Sequence, residues 1–105
     1  MQIELFYFDG CPSWQKALEN LRDALLAEGI ENDINLVKIE SPEDAVARKF
    51  SGSPTIRING QDLWPEHQSN YSLSCRVYST PEGLQGWPTI AMFRRKISAI
   101  GERKY

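Results

Sequence analysis

The chain opens with a dense apolar run in which Ile3, Leu5 and Tyr7 flank Phe6, with Phe8 following before Asp9-Gly10. β-Branched and aromatic residues bounded by a turn signal predict a buried strand. After Pro12 the period lengthens: Trp14, Ala17, Leu18, Leu21 and Leu25 follow helical spacing, and Gly29 supplies the stop. Ile34, Leu36, Val37 and Ile39 predict a second buried strand. Ser41-Pro42-Glu43-Asp44 combines an N-cap residue, a proline at the first helical position and an acidic first turn. A short helix follows, with Val46 and Phe50 facing the core and Gly52 closing it.

Thr55-Ile56-Arg57-Ile58 alternates and ends at Asn59-Gly60, a hairpin-turn dipeptide. Residues 61–74 are mostly polar, with Leu63, Trp64, Tyr71 and Leu73 as anchors. Cys75-Arg76-Val77-Tyr78 predicts a further short strand, and Pro88 opens a final helix. Ile90, Phe93, Ile97 and Ile100 share one face of that helix, and Gly101 ends it. The predicted order is β-α-β-α-β-β-α. A parallel β-α-β start followed by a hairpin implies an α/β fold with a mixed four-stranded sheet and helices on both faces. No repeat, low-complexity tract or linker divides residues 1–105, so the pattern predicts a single domain.

Composition narrows the function classes. A chain that is 41% hydrophobic is too apolar for a disordered protein, and 105 residues suffice for one core without disulfide staples. Twelve Lys and Arg against fourteen Asp and Glu give a net charge of −2, which argues against a general nucleic-acid partner. Arg94, Arg95, Lys96, Arg103 and Lys104 make the last twelve residues basic, which is commonly a solvated face near a helix C-terminus. No apolar run approaches the roughly 18–20 residues that cross a bilayer. The N-terminus lacks a basic stretch before an apolar one. The expectation is a cytoplasmic protein with no membrane partner.

Two cysteines, Cys11 and Cys75, form neither a disulfide scaffold nor a four-ligand zinc site. His67 is the only histidine, and it falls in the polar 61–74 stretch, where solvent exposure is expected. Cys11 is the chemical candidate. It follows the first strand and precedes a helix whose first residue is expected to be Pro12, so unpaired N–H groups and the helix dipole favour a thiolate there. It also stands at the carboxyl end of a parallel strand, where open α/β sheets place their sites. The structural alternative is a half-buried cysteine acting as a small hydrophobe.

Phe8-Asp9-Gly10-Cys11-Pro12-Ser13-Trp14 after the first strand and Gly52-Ser53-Pro54-Thr55 before the third together resemble the thioredoxin-like superfamily. The resemblance spans nearly the whole chain through the element order. It implies that Cys11 is the nucleophile, that Pro54 is cis and packs beside it, and that the Ser53 backbone is a ledge pairing with an extended peptide or thiol ligand. An ordinary trans proline opening an edge strand is the alternative at Pro54. The sequence departs from dithiol members: Trp14 stands where the second cysteine of Cys-x-x-Cys would be, so no local disulfide forms. Ser13 is a candidate hydrogen-bond donor to the Cys11 thiolate, or simply a solvated cap. Trp14 is a core residue by default and a substrate-contacting lid as the alternative.

Cys75 depends on register. If it opens a strand antiparallel to Thr55–Ile58, it pairs near Ile58, far from Cys11, and is structural. If Gln61–Trp64 is the returning strand, Cys75 approaches Cys11 and becomes a candidate resolving thiol. Asp62 and Pro65 make Gln61–Trp64 a poor strand, which favours the first register. The leading functional expectation is therefore single-thiol exchange at Cys11, with no bound cofactor and with glutathione as a candidate co-substrate. Its substrate would be a thiol or disulfide, on a peptide or a small molecule. The alternatives are a binding module that kept the Pro54 ledge without turnover, and soft-metal capture by Cys11 with Cys75. No oligomeric state follows from the pattern.

Overall fold

The computed structural model describes residues 1–66 and 71–102. In chain order the elements are β1 (Ile3–Tyr7), α1 (Ser13–Ala27), β2 (Ile34–Lys38), α2 (Pro42–Ala47), β3 (Thr55–Ile58) and β4 (Gln61–Asp62), followed by β5 (Tyr78–Thr80), β6 (Gly83–Gln85) and α3 (Ile90–Glu102). Strands β1 to β4 form one mixed sheet in the order β2-β1-β3-β4. β1 runs parallel to β2 and antiparallel to β3, and β3 runs antiparallel to β4. Leu5 is thus flanked by Leu36 on one side and Ile56 on the other.

The alternation of β1 sorts the helices onto two faces. Ile3 and Leu5 join Ile56, Ile58, Leu21, Leu25, Phe93 and Ile97 in the larger core, under α1 and α3. Phe6 points the other way and packs with Ile39, Ala45 and Phe50 beneath α2. Local signals set the boundaries. Ser41 Oγ accepts the Asp44 N–H at 3.0 Å and caps α2. Gly29, at φ +69°, ends α1 in a Schellman motif, with Gly29 N–H donating to Leu26 O and Ile30 N–H to Leu25 O. Asn59 and Gly60 both have positive φ, and Ile58 pairs with Gln61 across them, so the two-residue hairpin forms where its dipeptide stands.

Four expectations need correction. The segment expected as a second buried strand is a sheet edge: β2 has a neighbour on one side only, Leu36 is exposed, and burial is reached just beyond the strand at Ile39. Val46 is exposed because Ala45 takes the inward position on α2. Gly101 does not end α3, which continues through Glu102. Finally, Cys75-Arg76-Val77-Tyr78 is not a strand of the main sheet. Only Tyr78 belongs to a strand, and β5 pairs with β6 in a separate two-stranded ribbon. In the basic cluster, Arg94, Arg95 and Lys96 lie in the first half of α3, and Arg94 Nε reaches Glu28 at 2.9 Å. Arg103, Lys104 and His67 lie outside the described residues. No helix among the described residues is long and apolar enough to cross a membrane.

Asn20 is a buried polar residue on α1 whose Nδ2 donates to Pro88 O at 2.9 Å, tying α1 to the segment that leads into α3. Asn20→Ala leaves that carbonyl unmet in the interior. It is expected to lower stability by about 1–3 kcal/mol, read as a reduced urea midpoint with unchanged slope.

Candidate functional site

Cys11 sits at the turn between β1 and α1. Its N–H donates to Phe8 O at 3.3 Å, and a Cβ on Gly10 would come within 2.5 Å of Phe8 Cε2, so a larger residue there would have to displace the Phe8 ring. Helix α1 begins at Ser13 with Pro12 as its N-cap residue, which puts Cys11 just ahead of the helix. The Cys11 side chain is 1% exposed, and its Sγ lies 3.7 Å from Ser53 O.

The Ser53 side of the site is built from main chain. The Ser53–Pro54 peptide bond is cis, as the resemblance implied. Ser53 N–H donates to Ser74 O at 2.8 Å, and Ser53 O accepts Arg76 N–H at 2.9 Å, so Cys75 lies in a parallel bridge opposite Ser53. Gly52 makes that approach feasible. Its φ is +111°, and an added Cβ would meet Arg76 Cβ at 3.0 Å and the Arg76 backbone at 3.3 Å. An open depression of about 360 Å³, lined in part by Phe8, Gly10, Lys38 and Leu73, lies alongside.

This pairing joins Cys11 and Cys75 in a disulfide, with Cα atoms 5.9 Å apart across 64 residues of sequence. The expectation that Cys75 lies near Ile58 and out of Cys11's reach is overturned. The returning strand is the disfavoured one, β4, which needs only Gln61 and Asp62; Leu63 N–H then continues the pairing to Ile56 O at 3.0 Å. The chain therefore comes back past the Ser53 end. Asp62 is tolerated in that strand because its carboxylate meets Arg76 Nη1 at 2.8 Å.

Arg76 is the residue that sequence reasoning missed. It is 3% exposed, yet its guanidinium reaches Asp62, Glu66, Thr55 Oγ1 and Trp64 O and lies over the Tyr78 ring. Burial disfavours its charge, but Tyr78, Asp62 and Glu66 outweigh that and hold its pKa above the ordinary value. Tyr78 is buried too, and its hydroxyl donates to Pro54 O at 2.6 Å. Burial pushes the Tyr78 phenol well above its usual range. The only advance signal was an arginine beside a cysteine, which does not distinguish a buried charge from a surface one. Ser53 Oγ is buried with no hydrogen-bond partner among the described residues.

The remaining candidates, Ser13 and Trp14, stand at the start of α1. Ser13 Oγ lies against Gly86, where a Cβ would come within 2.5 Å of it. Trp14 stacks on Tyr7 with ring centroids 4.2 Å apart and packs against the larger core. Among the described residues no group of three or more His, Cys, Asp and Glu side chains is placed to hold a metal ion.

Two outcomes follow from this charge network. Arg76→Met leaves Asp62 without its partner and is expected to cost about 3 kcal/mol in denaturant unfolding, part of which Asp62→Asn in the same chain recovers. Tyr78 gives a pH dependence. Well below pH 10, both states keep the phenol proton and its contribution is fully present. At higher pH the unfolded chain releases a proton that the folded chain retains, so stability falls as pH rises, by about 1.4 kcal/mol per pH unit. Urea midpoints at rising alkaline pH should therefore fall less steeply in Tyr78→Phe than in the wild type.

No curated protein and no solved structure matches the chain. One family model does, described as a domain of unknown function (DUF2703), and it covers residues 11–83. The match begins at Cys11, takes in the Ser53 ledge and Cys75, and ends at the first residue of β6. It spans more than half of the chain and contains both cysteines, and the chain belongs to this family.

Proposed function

We propose that this is a thioredoxin-like protein that performs thiol–disulfide exchange through Cys11 and Cys75 as a pair. The observation that carries the reading is the main-chain pairing of Ser53 with residues 74–76, which holds Cys75 against Cys11 at the head of α1. The sheet order β2-β1-β3-β4, with a parallel first crossover and an antiparallel return, supports the same reading. The second thiol, absent from the place Trp14 occupies, comes from a distant segment instead. In the net reaction two external thiols are oxidised to one disulfide while Cys11–Cys75 is reduced to two thiols; the reverse reaction reduces an external disulfide. Glutathione is the proposed small-thiol co-substrate. In a cytosol, disulfides are usually transient and catalytic or redox-sensing, which agrees with an exchange role there.

This pairing replaces the single-thiol cycle, whose premise was that Cys75 lay out of reach. It also weighs against a peptide-binding module at the Ser53 ledge, since residues 74–76 of the chain itself already occupy it.

The test is equilibration of folded protein in glutathione buffers, together with a disulfide-reduction assay. The Cys11–Cys75 bond is expected to exchange with glutathione. Turnover should fall at least about tenfold in Cys75→Ser, because the Cys11–Cys75 disulfide can no longer form. A bond that resists glutathione in the folded state, in a protein without turnover, would identify a structural staple worth about 4 kcal/mol instead.

A further inference from the structure

The two cysteines of the site differ in exposure. Cys11 is 1% exposed, with its Sγ against Ser53 O. Cys75 is exposed, as are its neighbours Ser74 and Val77. An incoming thiolate must approach a disulfide in line with the S–S bond, from behind the sulfur it attacks, and access decides which sulfur that is. Resting on the exchange reading above, we propose that Cys75, not Cys11, is the sulfur that meets the external partner, and that Cys11 is the internal thiol that closes the cycle. The partner is a small thiol or its disulfide, because the main-chain ledge an extended peptide would need is filled by residues 74–76.

The steps balance. A thiolate RS⁻ bonds to Cys75 Sγ, the Cys75–Cys11 bond breaks, and its electron pair leaves on Cys11 Sγ. The proton lost by RSH is returned to Cys11, whose thiol donates to Ser53 O across the 3.7 Å separation. A second RS⁻ then attacks the R sulfur of the mixed disulfide, forming RSSR and leaving the Cys75 thiolate. By microscopic reversibility, oxidation begins with Cys75 attacking RSSR and ends with Cys11 attacking Cys75 Sγ and expelling RS⁻. Arg76 is the positioning residue in both directions. Its N–H on Ser53 O and its buried guanidinium anchor the next residue along from Cys75.

Oxidised wild-type protein is mixed with glutathione, quenched in acid within the first turnover, and mapped by peptide mass. The glutathione adduct is expected on Cys75, exceeding that on Cys11 by at least about tenfold. Reduced Cys11→Ala should form the same adduct with glutathione disulfide at a rate close to that of the wild type's first step. Reduced Cys75→Ala, confirmed folded by near-UV circular dichroism, should react much more slowly at Cys11 until urea exposes it. Adduct predominantly on Cys11 in the wild type would overturn the assignment and leave the exchange reading standing. Absence of exchange at either sulfur, with excess dithiothreitol also ineffective on the folded protein, would overturn both.

Discussion

The Arg76 guanidinium is the constraint on which the site depends. A guanidinium does not lose its proton in a protein, so a buried one is stable only where carboxylates and carbonyls replace its water. Asp62, Glu66, Thr55 and Trp64 do so here. Those partners come from β3, β4 and the residues just after β4, so one side chain fixes the path of the chain as it leaves the sheet and as it returns. The main-chain bonds between Ser53 and residues 74–76 then follow with little freedom left, and Cys75 is carried to Cys11.

Gly52 is the steric counterpart of this electrostatic anchor. Its positive φ and bare Cα let the Arg76 backbone lie directly against it. Any side chain there would be strained and would also push residues 74–76 away from Ser53. The Tyr78 hydroxyl on Pro54 O holds the far side of the same turn. Electrostatics, sterics and a buried hydrogen bond therefore converge on four consecutive residues, Gly52 to Thr55.

Much of the framework was legible because it is written in local chemistry. The Ser41-Pro42 cap, the Gly29 stop and the Asn59-Gly60 turn each act within a few residues of where they stand, and each marks the boundary its chemistry implies. Cys11 ahead of α1 was likewise readable, since a strand, a turn glycine and a helix start surround it. Long-range pairings were harder to read. Asp62 looked like a reason to deny β4 a strand, when its charge is half of a contact with a residue fourteen positions later. Leu36 and Val46 looked like core residues, because periodicity reports which face is apolar and not how completely a neighbour covers it. Cys75 was misplaced for the same reason as Asp62: its position is set by Arg76 and Gly52, and no local pattern records that pairing.

With Cys11 and Cys75 joined, the polypeptide is no longer a line but a ring bearing two arms. The ring holds α1, β2, α2, β3 and β4, while one arm holds β1 and the other holds the β5–β6 ribbon and α3. One of the sheet's two interior strands, β1, is therefore supplied to the ring from outside it, between β2 and β3. A single backbone cut anywhere within the ring divides the reduced chain into two molecules but leaves the oxidised chain as one. The oxidation state of two sulfurs thus decides whether such damage is a nick or a scission.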